Sequence, residues 1–484
     1  LERPLIRFQG RMMPIGGEAA LREAWDDAMD KPLGKADAVE VAGFGYENFG
    51  EPGSVAGDTR EPLLGIREVR FANGVRLNIK RTELEKDGVF VQMTLDGGDM
   101  LATRDNPLAT QMVSMLPSGG LGKHSQDELQ SILAGRIVGT GITSGTDSFV
   151  SLAQTTPADL ELQLRLFAAM LGDPGYRKIG ETRYRLNINN YFNRRRATPG
   201  AALASEIGGI LSDDNPRFSL GKVEDYRKLT FDKLKHDLAD RFAHGAIELG
   251  VVGDVDEDEV IAQVSRTLGA LPPREPEFRP YIEQRIRLFT AKRDQRIVRH
   301  TGPKDQALIQ LVWPTRGDDD PVETLMLRLL ERIVRLEMTD ILRERLGKAY
   351  SPSVSSAPSR YWLGYGTFGI AASVDVRDVT ATQAAIMHAI AGLRAAPIAA
   401  DMLQRAREPM IEAWDNALKS NASWLSLVDR AQTEPERIER YLKEKERLQA
   451  LTALDVQAMA RRYLDPAGAV EILVLPEGVD VPKE

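Results

Sequence analysis

Leu229-Thr230 opens a helical stretch that leads to Ile247-Glu248-Leu249, and Leu451-Thr452 opens another that leads to Val470-Glu471-Ile472. The two starts are 222 residues apart (451 − 229 = 222). Solenoid units repeat every 20 to 50 residues or so, and a spacing this much longer predicts duplicated domains instead.

Working outward from these stretches, the two halves read in the same order. In the first, Asn73-Gly74 sits between apolar-alternating flanks from Val69 to Leu77, a strong hairpin signal. Val89 to Leu95 reads as a strand and Asn106 to Leu116 as helical. Ser125 and Glu128 form a capping box for a helix ending near Ala134. Arg136 to Thr143 and Phe149 to Gln154 read as strands, and Thr156-Pro157 starts a helix running to Leu171. Helix also fills 176–213 and 230–242, followed by a buried strand at 246–252 and a closing helix from Asp256 to Leu268. Pro272 to Pro280 reads as a linker. In the second half, Gln306 to Trp313 is a strand, Asp320 to Leu346 a helix and Tyr361 to Val374 strand-like. Helices follow at Val379 to Leu393 and Ala399 to Leu418, and Ala469 to Leu475 closes the chain as a strand. Residues 1–60 read as a peripheral lead-in, with one helix over Glu18 to Met29 and a turn-rich stretch at 43–53. The expected organisation is a lead-in or interdomain linker over 1–60 and two similar α+β domains over 61–275 and 286–484.

Composition excludes several function classes. The 484 residues are 42% hydrophobic and 28% charged, as in globular proteins. A net charge of −8 argues against a nucleic-acid partner. Arg194-Arg195-Arg196 is sufficiently explained as a solvated helix end. With no cysteine there is no disulfide, thiolate zinc site or cysteine nucleophile. No run of about 18 apolar residues is present, so no membrane span is expected. The first residue is Leu1, which gives the expectation that something was removed upstream.

Most candidate motifs fail on spacing. Gly139, Gly141 and Gly145 precede a strand where a dinucleotide loop must open a helix. Asp254, Asp256 and Asp258 imitate a calcium loop, but Glu259 and Ser265 occupy its glycine and glutamate positions. None of His124, His236, His244, His300 and His388 has a second histidine at metal-ligand spacing, and there is no G-x-S-x-G elbow. What remains is Arg343 and Tyr350, seven residues apart on either side of a helix stop at Gly347. A guanidinium fork can donate to the carbonyls of an extended peptide, and a phenol to an oxygen gaining charge in acyl transfer. The residues alone leave a second reading open, in which Arg343 pairs with a glutamate and Tyr350 packs in the sheet.

The sequence resembles the insulinase/pitrilysin-type zinc peptidases, the inverzincins, across roughly residues 62–480. Four passages carry the match: Phe71-Ala-Asn-Gly-Val75, Leu249-Gly-Val-Val-Gly-Asp-Val255, Leu342 to Tyr350, and the unit opened by Leu451-Thr452. The resemblance implies a mitochondrial-processing-peptidase/insulinase-like fold of two α/β-roll domains, each a mainly antiparallel sheet with helices packed on one face. It further implies that Arg343 and Tyr350 bind substrate across a closed chamber. Aligning Met115 to Gly120 with the family's post-motif segment puts Thr110, Val113 and Ser114 on the histidine, glutamate and histidine of H-x-x-E-H. The downstream glutamate ligand has no counterpart in Asn187 to Asn193. A catalytic zinc needs three protein ligands and a water, so the expected chain is the non-catalytic, carboxy-terminal half. It carries no catalytic residue and no zinc, and is inactive alone. Its expected partners are a peptide substrate and an H-x-x-E-H half holding the zinc, either in the same precursor or as a separate subunit. The alternative function is a structural or peptide-binding scaffold. The periplasm is the expected compartment, with the cytoplasm as alternative.

Overall fold

Asn73 and Gly74 make the turn their sequence predicts. Gly74 has φ of +94°, and the Asn73 side chain accepts from Val75 N at 3.1 Å while donating to Leu268 O and Leu271 O. In this computed structural model the described residues are 15–30, 43–346 and 352–481, with only the backbone described over 342–346. Leu1–Phe44 and Gly45–Glu484 are separate compact units. The described part of the first contains the helix Gly17–Asp30, in which no residue is buried.

The second unit contains two mixed sheets. The first joins β1 (Val55–Arg60), β2 (Arg67–Phe71), β3 (Arg76–Arg81), β4 (Val89–Asp96), β5 (Thr143–Ser144), β6 (Ser148–Thr155) and β7 (Ile247–Gly253) in the order β1-β2-β3-β7-β4-β6-β5. The second joins β8 (Arg296–His300), β9 (Gln306–Thr315), β10 (Ser353–Pro358), β11 (Gly366–Asp375) and β12 (Val470–Pro476) in the order β10-β11-β9-β12-β8. Each is antiparallel apart from one pair, β3 with β7 and β8 with β12. The repeat extends to the helices. Phe231–His244 and Ala453–Tyr463 start 222 residues apart (453 − 231 = 222), as do Lys178–Arg194 and Ala400–Ala417.

Strand β9 shows how the second sheet is buried. Ala307, Ile309, Leu311 and Trp313 point into one core with the helices Pro321–Leu346, Val379–Ala395 and Ala453–Tyr463. Leu308 and Val312 point to the opposite face, because strand side chains alternate. That face, left bare in the expected layout, is covered by a helix from the first half, Pro199–Leu211, through Ala202, Leu203 and Leu211. The exchange is mutual. The helix Asn421–Val428 from the second half lays Leu425 and Val428 against Ile66 and Val252 of the first. Gly250 permits the approach, since a Cβ there would lie 3.2 Å from Leu425 Cδ1 and 3.3 Å from Asp429 N.

Four local expectations are corrected. The first sheet begins at Val55, inside the expected lead-in over residues 1–60. The sequence reading leaves 419–450 without an element, yet Asn421–Val428 and Glu436–Ala450 are helices. The helix expected from Thr156 begins at Leu160, because Thr156 Oγ1 accepts from Asp159 N in a preceding turn. Of the strand expected over Arg136 to Thr143, only Thr143 pairs with β6, together with the next residue, Ser144. Upstream of it, side chains replace the ladder: Gln163 bonds both the N–H and the C=O of Gly139, and Thr155 donates to Ile137 O.

Glu248 lies buried where the halves meet, accepting from Asn78 Nδ2 (2.6 Å), Gln432 N (2.9 Å) and Thr433 Oγ1. Burial raises its pKa above the ordinary carboxylate value, with these hydrogen bonds pulling it back down. A group raised in the folded state contributes stability below its unfolded pKa and loses it as pH rises through the folded one. Glu248→Gln keeps an acceptor for Asn78 and Gln432 without the buried charge. Melting temperatures measured against pH should therefore show the variant gaining on wild type as pH rises, with little difference at acid pH.

Candidate functional site

The stretch aligned with H-x-x-E-H is not an α-helix, although the sequence predicts helix from Asn106 to Leu116. Gln111 N bonds Leu108 O, Val113 N bonds Thr110 O and Met115 N bonds Met112 O, so each link spans three residues. Residues 107–112 form turns, and Val113–Gly119 is a 3-10 helix. In an α-helix the first and last positions of the motif share a face. With three residues per turn they sit about 120° apart. Accordingly Thr110 is buried and Ser114 exposed, while Val113 is a core residue with no exposure.

Thr110 Oγ1 donates to Asp99 Oδ1 at 2.8 Å, and Ser144 Oγ donates to the same oxygen at 2.8 Å. Burial raises the Asp99 pKa, opposed by these two hydroxyls and by the nearby Arg217 charge. The helix Lys178–Arg194 passes alongside, with Asn187 Nδ2 4.0 Å from Met115 Sδ. Its one glutamate, Glu181, is already engaged by Phe231 N and Arg185. Hydroxyls, a valine and an engaged carboxylate do not fit a zinc ion. Among the described residues no three His, Cys, Asp or Glu side chains cluster as metal ligands. His124 accepts from Gly45 N at 3.0 Å, and His300 is fully buried with Nε2 2.8 Å from Gln306 O.

Thr110 and Asp99 line a cavity of about 500 Å³ that also takes Arg217 and Phe218 from the loop 215–221, Arg287 from the connecting segment and Trp362 from the turn between β10 and β11. A larger cavity of about 890 Å³ adjoins it, sharing Pro107, Leu108, Pro216, Ser219 and Leu220. The sequence reading singles out none of Arg217, Arg287 or Trp362. They are 145 residues apart at the extremes (362 − 217 = 145), and no local spacing announces them.

The other expected site lies at the end of the long helix Pro321–Leu346. Asp320 caps its start by accepting from Val322 N and Glu323 N. Leu329, Leu330, Ile333, Val334 and Met338 are fully buried along it. Near its far end, Arg335 Nη2 donates to Val354 O and Glu331 accepts from Ser356 N, so the helix covers the outer edge of β10. Arg343 belongs to this helix, but its side chain and the whole of Tyr350 lie outside the described residues.

Residues 228–410 match the family model described as the peptidase M16 inactive domain. That span is 183 of the 484 residues (410 − 228 + 1 = 183). The match bears out the resemblance to the non-catalytic half of insulinase/pitrilysin-type peptidases. The chloroplastic stromal processing peptidase of Arabidopsis thaliana is 22% identical over 430 residues, covering 78% of this chain and 34% of that protein. Solved structures share the fold, two proteases among them. The ferredoxin protease FusC E83A mutant in complex with Arabidopsis ferredoxin gives a TM-score of 0.74 at 15% identity, over 95% of this chain and 50% of that one. The periplasmic protease PqqL from Escherichia coli gives 0.71 at 14%, over 95% and 51%. The chain thus spans about a third of the curated relative and about half of each structure. No single helix among its described residues is long and apolar enough to cross a membrane.

Proposed function

We propose that the chain is the substrate-binding, non-catalytic half of a zinc metalloendopeptidase. It closes a chamber over a peptide and holds it through Arg343 and Tyr350, while an H-x-x-E-H partner half, in the same precursor or as a separate subunit, supplies the zinc and the hydrolysis. The observation that carries this reading is the inactive-domain match over 228–410, a span that includes both residues. The loss of ligand chemistry and of α-helical geometry at Thr110, Val113 and Ser114 supports it. The proteolytic descriptions of FusC and PqqL accord with such a partner, and that of PqqL with the periplasm. The stromal relative is chloroplastic, so the fold serves more than one compartment.

The test is reconstitution. The purified chain should hold no stoichiometric zinc by metal analysis and cleave no peptide, and cleavage should appear when an H-x-x-E-H half is added. One zinc per chain, or cleavage by the chain alone, refutes the assignment. Peptide binding with no activity in the presence of any such half would favour a scaffold instead.

A further inference from the structure

The cavity beside Thr110 contains two arginines whose donors the protein does not satisfy. The Arg217 guanidinium lies 5.2 Å from the ring centre of Phe218 and 5.4 Å from that of Trp362. The Arg287 guanidinium lies 4.3 Å from Phe218 and 4.5 Å from Tyr365. Phe218 and Trp362 meet edge to face at 5.1 Å, so the aromatic faces fix both forks in place. Nε and Nη2 of Arg217 and Nε of Arg287 are buried without a hydrogen-bond acceptor. Both residues are half-buried. Of the buried arginines, Arg241 is paired with Asp96 and Glu275 and Arg430 with Asp147 and Glu434, while Arg76 and Arg274 also keep unbonded nitrogens but line no part of this cavity.

Leaving guanidinium donors buried and unpaired is unfavourable, and two cations facing one cavity add repulsion. Burial and the neighbouring Arg287 push Arg217 below its ordinary pKa, with Asp99 pulling it back up. Among the described residues, Asp99 is the one acidic residue lining the cavity, and its Oδ1 is already occupied by Thr110 and Ser144. Two positive charges therefore face at most one negative charge, inside a chain whose net charge is −8. Planar forks of this kind match the two oxygens of a carboxylate. Thr110, Ser219 and Tyr191 add hydroxyls to the same lining.

We propose that this cavity is an anion subsite that takes a peptide carboxylate between Arg217 and Arg287, from either an acidic side chain or the chain terminus. This subsite calls on neither Arg343 nor Tyr350, and its test uses this chain alone. Calorimetric titration compares three peptides of the same length: an acetylated, amidated one with a single glutamate, its glutamine counterpart, and that counterpart with a free terminal carboxylate. At least one acidic peptide should bind and the neutral one should not, and whichever binds identifies the source of the carboxylate. Arg217→Gln and Arg287→Gln should each weaken binding about tenfold, as expected for one charge-assisted donor group. Asp99→Asn keeps the acceptor for Thr110 and Ser144 while removing the competing charge, so it should tighten binding. Equal binding of the neutral peptide, no binding of either acidic one, or binding of inorganic phosphate alone overturns the proposal. So do arginine variants of unchanged melting temperature and unchanged affinity. If those variants do not fold, Asp99→Asn decides, and failure to tighten overturns it.

Discussion

Arg241→Met is expected to destabilise the chain by about 3–5 kcal/mol in urea unfolding, the range for breaking a buried ion pair by removing one partner. The Arg241 side chain is 1% exposed and that of Asp96 is fully buried. Arg241 Nη1 donates to Asp96 Oδ2 at 2.6 Å and to Glu275 Oε2 at 2.7 Å, and Nη2 donates to Glu275 Oε1 and Asp240 Oδ2. Asp96 also accepts from Tyr281 OH and Arg279 N. The network ties the end of β4, the helix Phe231–His244 and the segment after Pro273 into one piece. The loss is large because Asp96 is left charged with no cation beside it. Adding Asp96→Asn to Arg241→Met should therefore recover part of the loss, a coupling that a double-mutant cycle measures.

The same network shapes the acid limb. Hydrogen bonding to Arg241 holds the Glu275 pKa at about 2, against an ordinary 4.5. A depressed carboxylate contributes stability above its unfolded pKa and loses it as pH falls through the folded one. Wild type should lose this contribution between pH 4.5 and about 2, and Arg241→Met should lack most of that slope. Asp96, raised chiefly by burial, acts in the opposite sense and blunts the change.

In the reconstituted peptidase, Tyr350→Phe is expected to lower kcat about 100- to 1000-fold, as losing one donor to a developing oxyanion does. Arg343→Ala is expected to act mainly on KM, since a fork on peptide carbonyls binds ground and transition states alike. Arg343→Lys keeps the charge but not the fork, and should resemble the alanine variant more than wild type. Circular dichroism should show all three folded. Unchanged kinetics in both Arg343→Ala and Tyr350→Phe would reject the assignment and leave the pair a structural role.

The duplicated order, the Asn73-Gly74 hairpin and the capping box at Ser125 and Glu128 were legible because local spacing causes them. The replaced side chains at Thr110, Val113 and Ser114 were legible for the same reason, being the residues themselves. Their 3-10 geometry was not, because apolar spacing over Asn106 to Leu116 suits either helix, and the hydrogen bonds of 107–119 separate them. The exchange of Pro199–Leu211 and Asn421–Val428 was equally hidden. Buried strands such as β7 and β9 read as continuous apolar runs, and such a run does not say which distant helix covers its second face. The cluster of Arg217, Arg287, Phe218 and Trp362 exists only once those halves dock. Sequence alone determined the repeat, the family resemblance and which side chains stand at 110, 113 and 114, all carried by neighbours along the chain. Tertiary structure decided what faces the cavity, because that depends on which residues far apart in sequence are brought within hydrogen-bonding distance of one another.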